Sequence, residues 1–329
     1  MKSINQLRLI TVFTALLLCG TTQGETLKLN LKKGDQFLMH GRFNITTSII
    51  APDKNMEMHV KFAPDILYRI KEQTPQGYAM DVSFERLLMN AATPLKEKDF
   101  SIDTDAIAFS DSLSTTTGDV DLKKQLGIML KMMMGKSLSL DVARNGKILK
   151  TGNIAEAMQP ALNYMTRQLA KMKLPADSLE KIKAKQKNNL KQADFASGFE
   201  KTFIELPEKP LNPGDTWQTF TPLQGDTLHK MTNTYKLLAI NPDEYLIESV
   251  SSLPEMPSSG AGGFLAMLFK LEIGENKAIY HLDRKTGWIK SLDGSMTISI
   301  TINSNSSDKK QAEGKSTKMS IRTDYTVTM

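Results

Sequence analysis

The sequence holds four histidines, His40, His59, His229 and His281, set too far apart for the HxH or HExxH spacings that bind zinc. At Asn55-Met56-Glu57-Met58-His59 thioethers and an imidazole meet, a combination that suits Cu(I). Strict alternation places Met56 and Met58 beside Val60 and Phe62 on one strand face and His59 on the other, so the methionines read as core. Ser178-Leu179-Glu180-Lys181 fits the S-x-x-K pattern of penicillin-recognising hydrolases, but no S-D-N follows, and a serine shortly after Pro175 suits a helix start. Asp103-Thr104-Asp105 lacks the remaining ligands of a calcium loop, and Gly260-Ala261-Gly262-Gly263 lacks a preceding strand and the phosphate-binding spacing. Cys19 is the one cysteine, and it falls in the N-terminal leader. These residues predict no catalytic group, no metal and no cofactor.

Methionine is the compositional signal. Of 19 methionines, Met129, Met132, Met133 and Met134 cluster, while Met158, Met165 and Met172 recur every seven residues. Met158, Leu162, Met165, Leu169 and Met172 form one stripe of an amphipathic helix, and they are the candidate ligand-binding residues. A flexible thioether wall suits a variable apolar ligand; the same stripe would also fill gaps between a helix and a sheet.

Strands must frame this stripe. Phe37, Met39, Phe43, Ile45 and Ile49 alternate with polar residues, as do Met56 to Phe62, Tyr78 to Phe84, Met296 to Ile302 and Met319 to Val327. A period of two with one apolar face indicates long antiparallel strands. A helix is expected over 121–135, closed by Gly135, and another from Asn153 as N-cap to Leu174-Pro175. A third, basic helix is expected at about 178–193. Loops are expected at 112–118, 254–263 and 303–314.

Lys2 and Arg8, the apolar run from Leu9 to Leu18 and the exit Thr22-Gln23-Gly24 have the layout of a secretory signal, with cleavage expected before Glu25. Its apolar run is about ten residues, half of what a bilayer span needs. Leu16-Leu17-Leu18-Cys19 outlines a lipobox, although Leu18 stands where a small residue is usual, so simple cleavage is preferred to a lipid anchor at Cys19. Export to the periplasm or cell surface follows, with no transmembrane span in the mature chain. The net charge of +6 is concentrated in lysines 171, 173, 181, 183, 185, 187 and 191. They are scattered around a helix and read as a solvated face, and no nucleic-acid partner is expected.

Landmarks recur in order. Lys33-Gly34-Asp35-Gln36-Phe37 returns as Pro213-Gly214-Asp215-Thr216-Trp217. The hairpin from Leu67-Tyr68-Arg69-Ile70 to Tyr78 returns from Leu237-Leu238-Ala239-Ile240 to Tyr245, and Leu140 to Ile148 returns as Tyr280 to Ile289. The expected organisation is a signal peptide at 1–24, a first β unit with a short helix at 25–152, a helical connector at 153–202 and a second β unit at 203–329. The fold class is α+β: two related antiparallel β units of long curved strands, half-barrel-like, with the helical connector packed on the apolar face.

Leu206-Pro207-Glu208-Lys209-Pro210 followed by Gly214-Asp215-Thr216-Trp217, after an early Leu27-x-Leu29-x-Leu31-x-x-Gly34-Asp35, resembles an uncharacterised family of exported bacterial proteins of Bacteroidetes type. The resemblance implies export and supports the duplication; it carries no activity and no site residues. The leading functional reading is a non-enzymatic exported binding protein that holds an apolar small molecule, a lipid or a partner segment at the cell envelope. A structural component of an envelope assembly, with an envelope protein as partner, is the second reading, and a hydrolase with an unrecognised site is the third.

Overall fold

A computed structural model describes residues 24–51, 54–92, 100–107, 122–171, 202–223, 226–252, 269–303 and 316–329. Twelve strands form one antiparallel sheet. They are β1 (Gln36–Ala51), β2 (Lys54–Gln73), β3 (Gly77–Ala92), β4 (Phe100–Asp103), β5 (Ser137–Ala143), β6 (Ile148–Gly152), β7 (Thr216–Leu223), β8 (Asp226–Ile240), β9 (Glu244–Ser252), β10 (Phe269–Asp283), β11 (Ile289–Asn303) and β12 (Ser316–Thr328). Their order is β6-β5-β3-β2-β1-β12-β11-β10-β9-β8-β7, with β4 on β3. Two meanders therefore lie side by side, joined where β1 pairs β12, and the link from β6 to β7 runs from one sheet edge to the other. The helices are α1 (Leu122–Met133) and α2 (Ile154–Lys171), which pack on each other and reach the sheet chiefly at β4 and β5. The basic helix expected near 178–193 and the three expected loops fall outside the described residues, save Asn303, which ends β11.

The two Gly-Asp turns make the same bonds. Gly34 N donates to Ile70 O (2.9 Å) and Gly214 N to Leu237 O (2.7 Å); Ile70 N donates to Asp35 O (2.9 Å) and Leu237 N to Asp215 O (3.0 Å). Each aspartate accepts the amide three residues before it, Asp35 from Lys32 and Asp215 from Asn212, both at 2.8 Å. Ile70 thus stands where Leu237 stands, three residues away from the match that the apolar letters suggest. A bulge follows at the same point in each, between Ile70 and Glu72 and between Leu237 and Ala239.

Two extended segments, 25–31 and 202–211, cross the apolar face as straps. Leu27, Leu29, Leu31, Phe203, Ile204, Leu206 and Leu211 are buried, and Glu25 and Leu211 exchange backbone hydrogen bonds at 2.9 Å. Leu29 N donates to Arg144 O (2.7 Å), in the β5–β6 turn, while the next amide, Asn30 N, donates to Thr286 O (2.8 Å), in the β10–β11 turn. Two adjacent amides can join carbonyls no more than about 9 Å apart. In a flat sheet these turns, at least five strand spacings distant, would be about 24 Å apart. The sheet is strongly curled around the straps, and β6 and β7 do not close it by pairing.

Close approach sets two glycines. Gly146 and Gly287 hold φ of 88° and 69° in the turns under the straps, and a Cβ on either would overlap a strap carbonyl, Ile204 O or Lys28 O. Aromatic rings fill the space between: Phe37 stacks on Trp288 (4.4 Å), and Tyr68 and Phe203 meet that ring edge-on (5.2 and 5.3 Å). Trp217 stacks on Tyr235 (5.2 Å) in the other meander.

Candidate functional site

The strands extend beyond this plug, and there their inner face is only half-covered. Pairing aligns Ala91, Val60, Ile45, Thr323, Met296 and Asn276 across β3, β2, β1, β12, β11 and β10. The next row holds Met58, Thr47, Ile321 and Ile298, and the one after it Met56, Ile49, Met319 and Ile300. Among these, Ile45, Ile49, Val60, Met296, Ile298, Ile300, Met319 and Ile321 are half-buried. Met56 and Met58, read from sequence as core, are half-buried and 36% exposed. They sit past the end of the plug. At the described inner-face positions of β1, β2, β11 and β12 the one charged side chain is Lys54, exposed at the outer end of β2 opposite Ala51.

The outer face of these strands is the opposite. Arg42, Asn44, Thr46 and Ser48 on β1, Lys61 on β2, and Lys318, Ser320, Arg322 and Asp324 on β12 face away from the wall. A lipid-facing barrel would carry its apolar band outside; this sheet carries charge there.

The wall changes character toward β7 to β10. Asn233, Ser249 and Asn276 are buried there, 8%, 6% and 6% exposed. Asn233 donates to Thr221 Oγ1 (3.0 Å) and accepts from Ser251 Oγ (2.6 Å). Burial pushes the Tyr280 hydroxyl well above its usual range, against a hydrogen bond to Ser249.

At the other end Glu25 anchors the first strap. Tyr245 Oη donates to Glu25 Oε1 (2.6 Å) and Arg284 Nη2 to Oε2 (2.8 Å). Burial raises the Glu25 carboxyl, but these hydrogen bonds outweigh it and hold the group below its ordinary value. Burial, with the glutamate beside it, pushes Tyr245 up to about 12. Between the straps and the β10–β11 turn lies a crevice lined by Leu29, Phe203, Ile204, Leu206, Leu282 and Trp288, with room for about one water molecule. Trp288 Nε1 and Tyr68 Oη are buried beside it without a hydrogen-bond partner among the described residues. Thr202 approaches the tyrosine hydroxyl, which burial pushes up, but lacks bonding geometry.

The residues singled out from sequence are dispersed. On the helical stripe Met158 and Leu162 are half-buried, and Met158 packs against the core alongside Ile154 and Ala157. Helix α2 contains Met165 and Leu169, whose side chains lie outside the described set, as does Met172 altogether. His40, His59 and His281 lie on the outer face beside Asp65 (2.7 Å), Glu57 (2.9 Å) and Glu244 (3.3 Å), in separate places. The His229 side chain, Ser178-Leu179-Glu180-Lys181 and the 260–263 glycines are outside the described residues. Asp103 is held by Arg86 (3.1 and 2.6 Å), and Asp105 reaches the same guanidinium at 3.4 Å, so this pair serves an ion cluster. Two K-T-G triplets, the other motif that accompanies S-x-x-K in such hydrolases, are present in the sequence. Lys285-Thr286-Gly287 is used up as a turn, in which Thr286 N and Oγ1 both donate to Asp283 Oδ1 at 2.8 Å, and Lys150-Thr151-Gly152 ends β6. Sequence reasoning missed the open wall, whose signal is an apolar row continuing past the reach of the straps.

A family described as "Family of unknown function (DUF6263)" matches residues 75–289. A search of curated proteins finds no match to the sequence. Among solved structures, lipovitellin, described for its lipid–protein interactions, is similar at 9% identity over 90% of this chain, with a TM-score of 0.44; the chain spans 25% of that one. The outer membrane protein OprG from Pseudomonas aeruginosa aligns at 7% identity over 90% of this chain and 96% of its own, with a TM-score of 0.16. DynF from the dynemicin biosynthesis pathway of Micromonospora chersina aligns at 7% identity over 92% and 86%, with a TM-score of 0.17.

Proposed function

The chain belongs to DUF6263, a family of unknown function, and we propose from its own geometry that it is an exported, non-enzymatic carrier of an apolar ligand. In this reading two related units, 25–152 and 203–329, build a half-barrel plugged at one end by the straps and open at the other. One observation carries it: among its described residues the inner wall beyond the plug is half-exposed and uncharged save for Lys54 at its outer end, while the outer face of the same strands is charged. Apolar surface left uncovered on a soluble sheet is costly to hydrate, and a concave apolar face with few polar groups is the usual form of a small-molecule site. The stripe Met158, Leu162, Met165, Leu169 and Met172 would supply a helical wall. Export follows from the leader, with processing before Glu25, whose backbone and side chain are both engaged in the fold.

The test is native mass spectrometry of protein purified from its own host, together with binding of a neutral aliphatic fluorescent probe. A retained apolar small molecule and saturable probe binding are expected. A ligand-free protein that binds no probe would overturn the reading. A second reading, docking of an envelope protein along a sheet edge, is favoured by Phe220, 61% exposed on β7, an edge strand that among the described residues is paired on one side, by β8. It expects Phe220→Asp to abolish co-purification of a specific envelope protein without affecting probe binding.

A further inference from the structure

The polar groups of the inner wall carry the ligand reading further. Asn276 is 6% exposed, stands opposite Met296 in the row that continues through Thr323 to Ile45, and its carboxamide makes no hydrogen bond to any described residue. Asn233, by contrast, is tied to Thr221 and Ser251. A buried amide left unpaired is destabilising, and an amide that opens onto a ligand wall is satisfied when a ligand brings its own donor or acceptor. The wall rows next to it offer no ionic partner: on the inner face of β1, β2, β11 and β12 the one described charge is Lys54, three rows away at the open end of β2.

We propose that the cup holds a long-chain aliphatic amphiphile with an uncharged hydrogen-bonding head (hydroxyl, ester or amide), its head at Asn276 and its chain along Ile298, Ile300, Met319 and Ile321. The inference rests on the apolar-carrier reading and adds the class of ligand. A carboxylate or phosphate drawn to Asn276 would be stripped of water with no cation to meet it, whereas a neutral head exchanges water for the amide. From Thr323 to Thr317 the wall extends about 20 Å, six residues of strand, enough for an extended long acyl chain. A purely apolar occupant would leave the carboxamide unsatisfied.

The experiment displaces N-phenyl-1-naphthylamine, a neutral reporter, from the full mature chain at pH 8 with monooleoylglycerol, with oleate, and with dioleoyl phosphatidylglycerol vesicles. Monooleoylglycerol should displace the reporter at a concentration at least tenfold lower than either anionic competitor. In Asn276→Leu the reporter should still bind, with the melting temperature near that of wild type, and the preference should fall to about one. Asn276→Ala is measured alongside, so that a leucine variant that fails to fold leaves a second reading of the same loss. Reporter binding by wild type with oleate or phosphatidylglycerol equal or superior to monooleoylglycerol overturns the ligand class and leaves the carrier standing. So does a tenfold preference that survives in both variants. No reporter binding by folded wild type overturns the carrier and this inference together.

Discussion

Gly34 and Gly287 both hold positive φ, 92° and 69°, yet they do different things. Around Gly34 an added Cβ meets nothing within 4 Å, whereas on Gly287 it would overlap the Lys28 carbonyl. Gly34→Ala should therefore cost only the left-handed backbone penalty, about 1–2 kcal/mol, while Gly287→Ala must also displace the strap and should cost roughly 3 kcal/mol. Urea unfolding of the two variants measures the difference, and equal losses would mean that the strap does not press on the turn. Sequence could point to a turn at either glycine, since each ends or begins a run of alternation. It could not distinguish them, because the atom that makes Gly287 obligatory belongs to Lys28, far away in the chain. The wall methionines were ambiguous for a related reason. Alternation says which face Met56 and Met58 occupy, but burial depends on what crosses that face, and the straps stop short of them.

At the scale of elements, period-two alternation is a local signal, and it made β1, β2, β11 and β12 legible with their inner faces correct. The matching of one hairpin to the other slipped by three residues because apolar letters align Ile70 with Ile240, whereas the hydrogen bonds to Asp35 and Asp215 align it with Leu237. If the turns are equivalent, Asp35→Ala and Asp215→Ala should each lose about 1–2 kcal/mol, and equilibrium unfolding should give values alike within error. A large loss at one and none at the other would separate them. The straps were the hardest elements to read. Leu27, Leu29 and Leu31 alternate like a strand, but their partners are turn carbonyls that only the curled sheet brings near. Glu25 gives the first strap a pH dependence. Its carboxyl is held below its ordinary value, so its contribution is complete above the unfolded value of about 4.3 and is lost as pH falls through the folded one. Glu25→Gln should unfold at lower urea than wild type at pH 7, and the gap should narrow as pH falls below about 4.3. A gap that does not narrow with falling pH would show that packing rather than charge is responsible.

Across the whole molecule, two regions share one inner face and differ in what covers them. Val82, at 0% exposure, belongs to the core formed around the straps, while Ile300 is half-buried on the open wall. Both are apolar inward positions of long strands, so nothing in the local sequence separates a residue that holds the fold together from one that waits for a ligand. The separation arises from topology: the link between β6 and β7 and the N-terminal segment both cross at one end of the sheet, leaving the other end open. A buried charge distinguishes them. Val82→Glu would place a carboxylate in a sealed apolar site at a cost of several kcal/mol, and the variant should be unfolded at ambient temperature. Ile300→Glu leaves its carboxylate access to water and should change stability by no more than about 1 kcal/mol, yet it should abolish binding of the neutral aliphatic probe. Circular dichroism melts with probe titrations on both variants read these outcomes directly. An Ile300→Glu protein that unfolds as readily as Val82→Glu would mean that the wall is closed core, and an Ile300→Glu protein that binds probe as wild type does would mean that the ligand sits elsewhere.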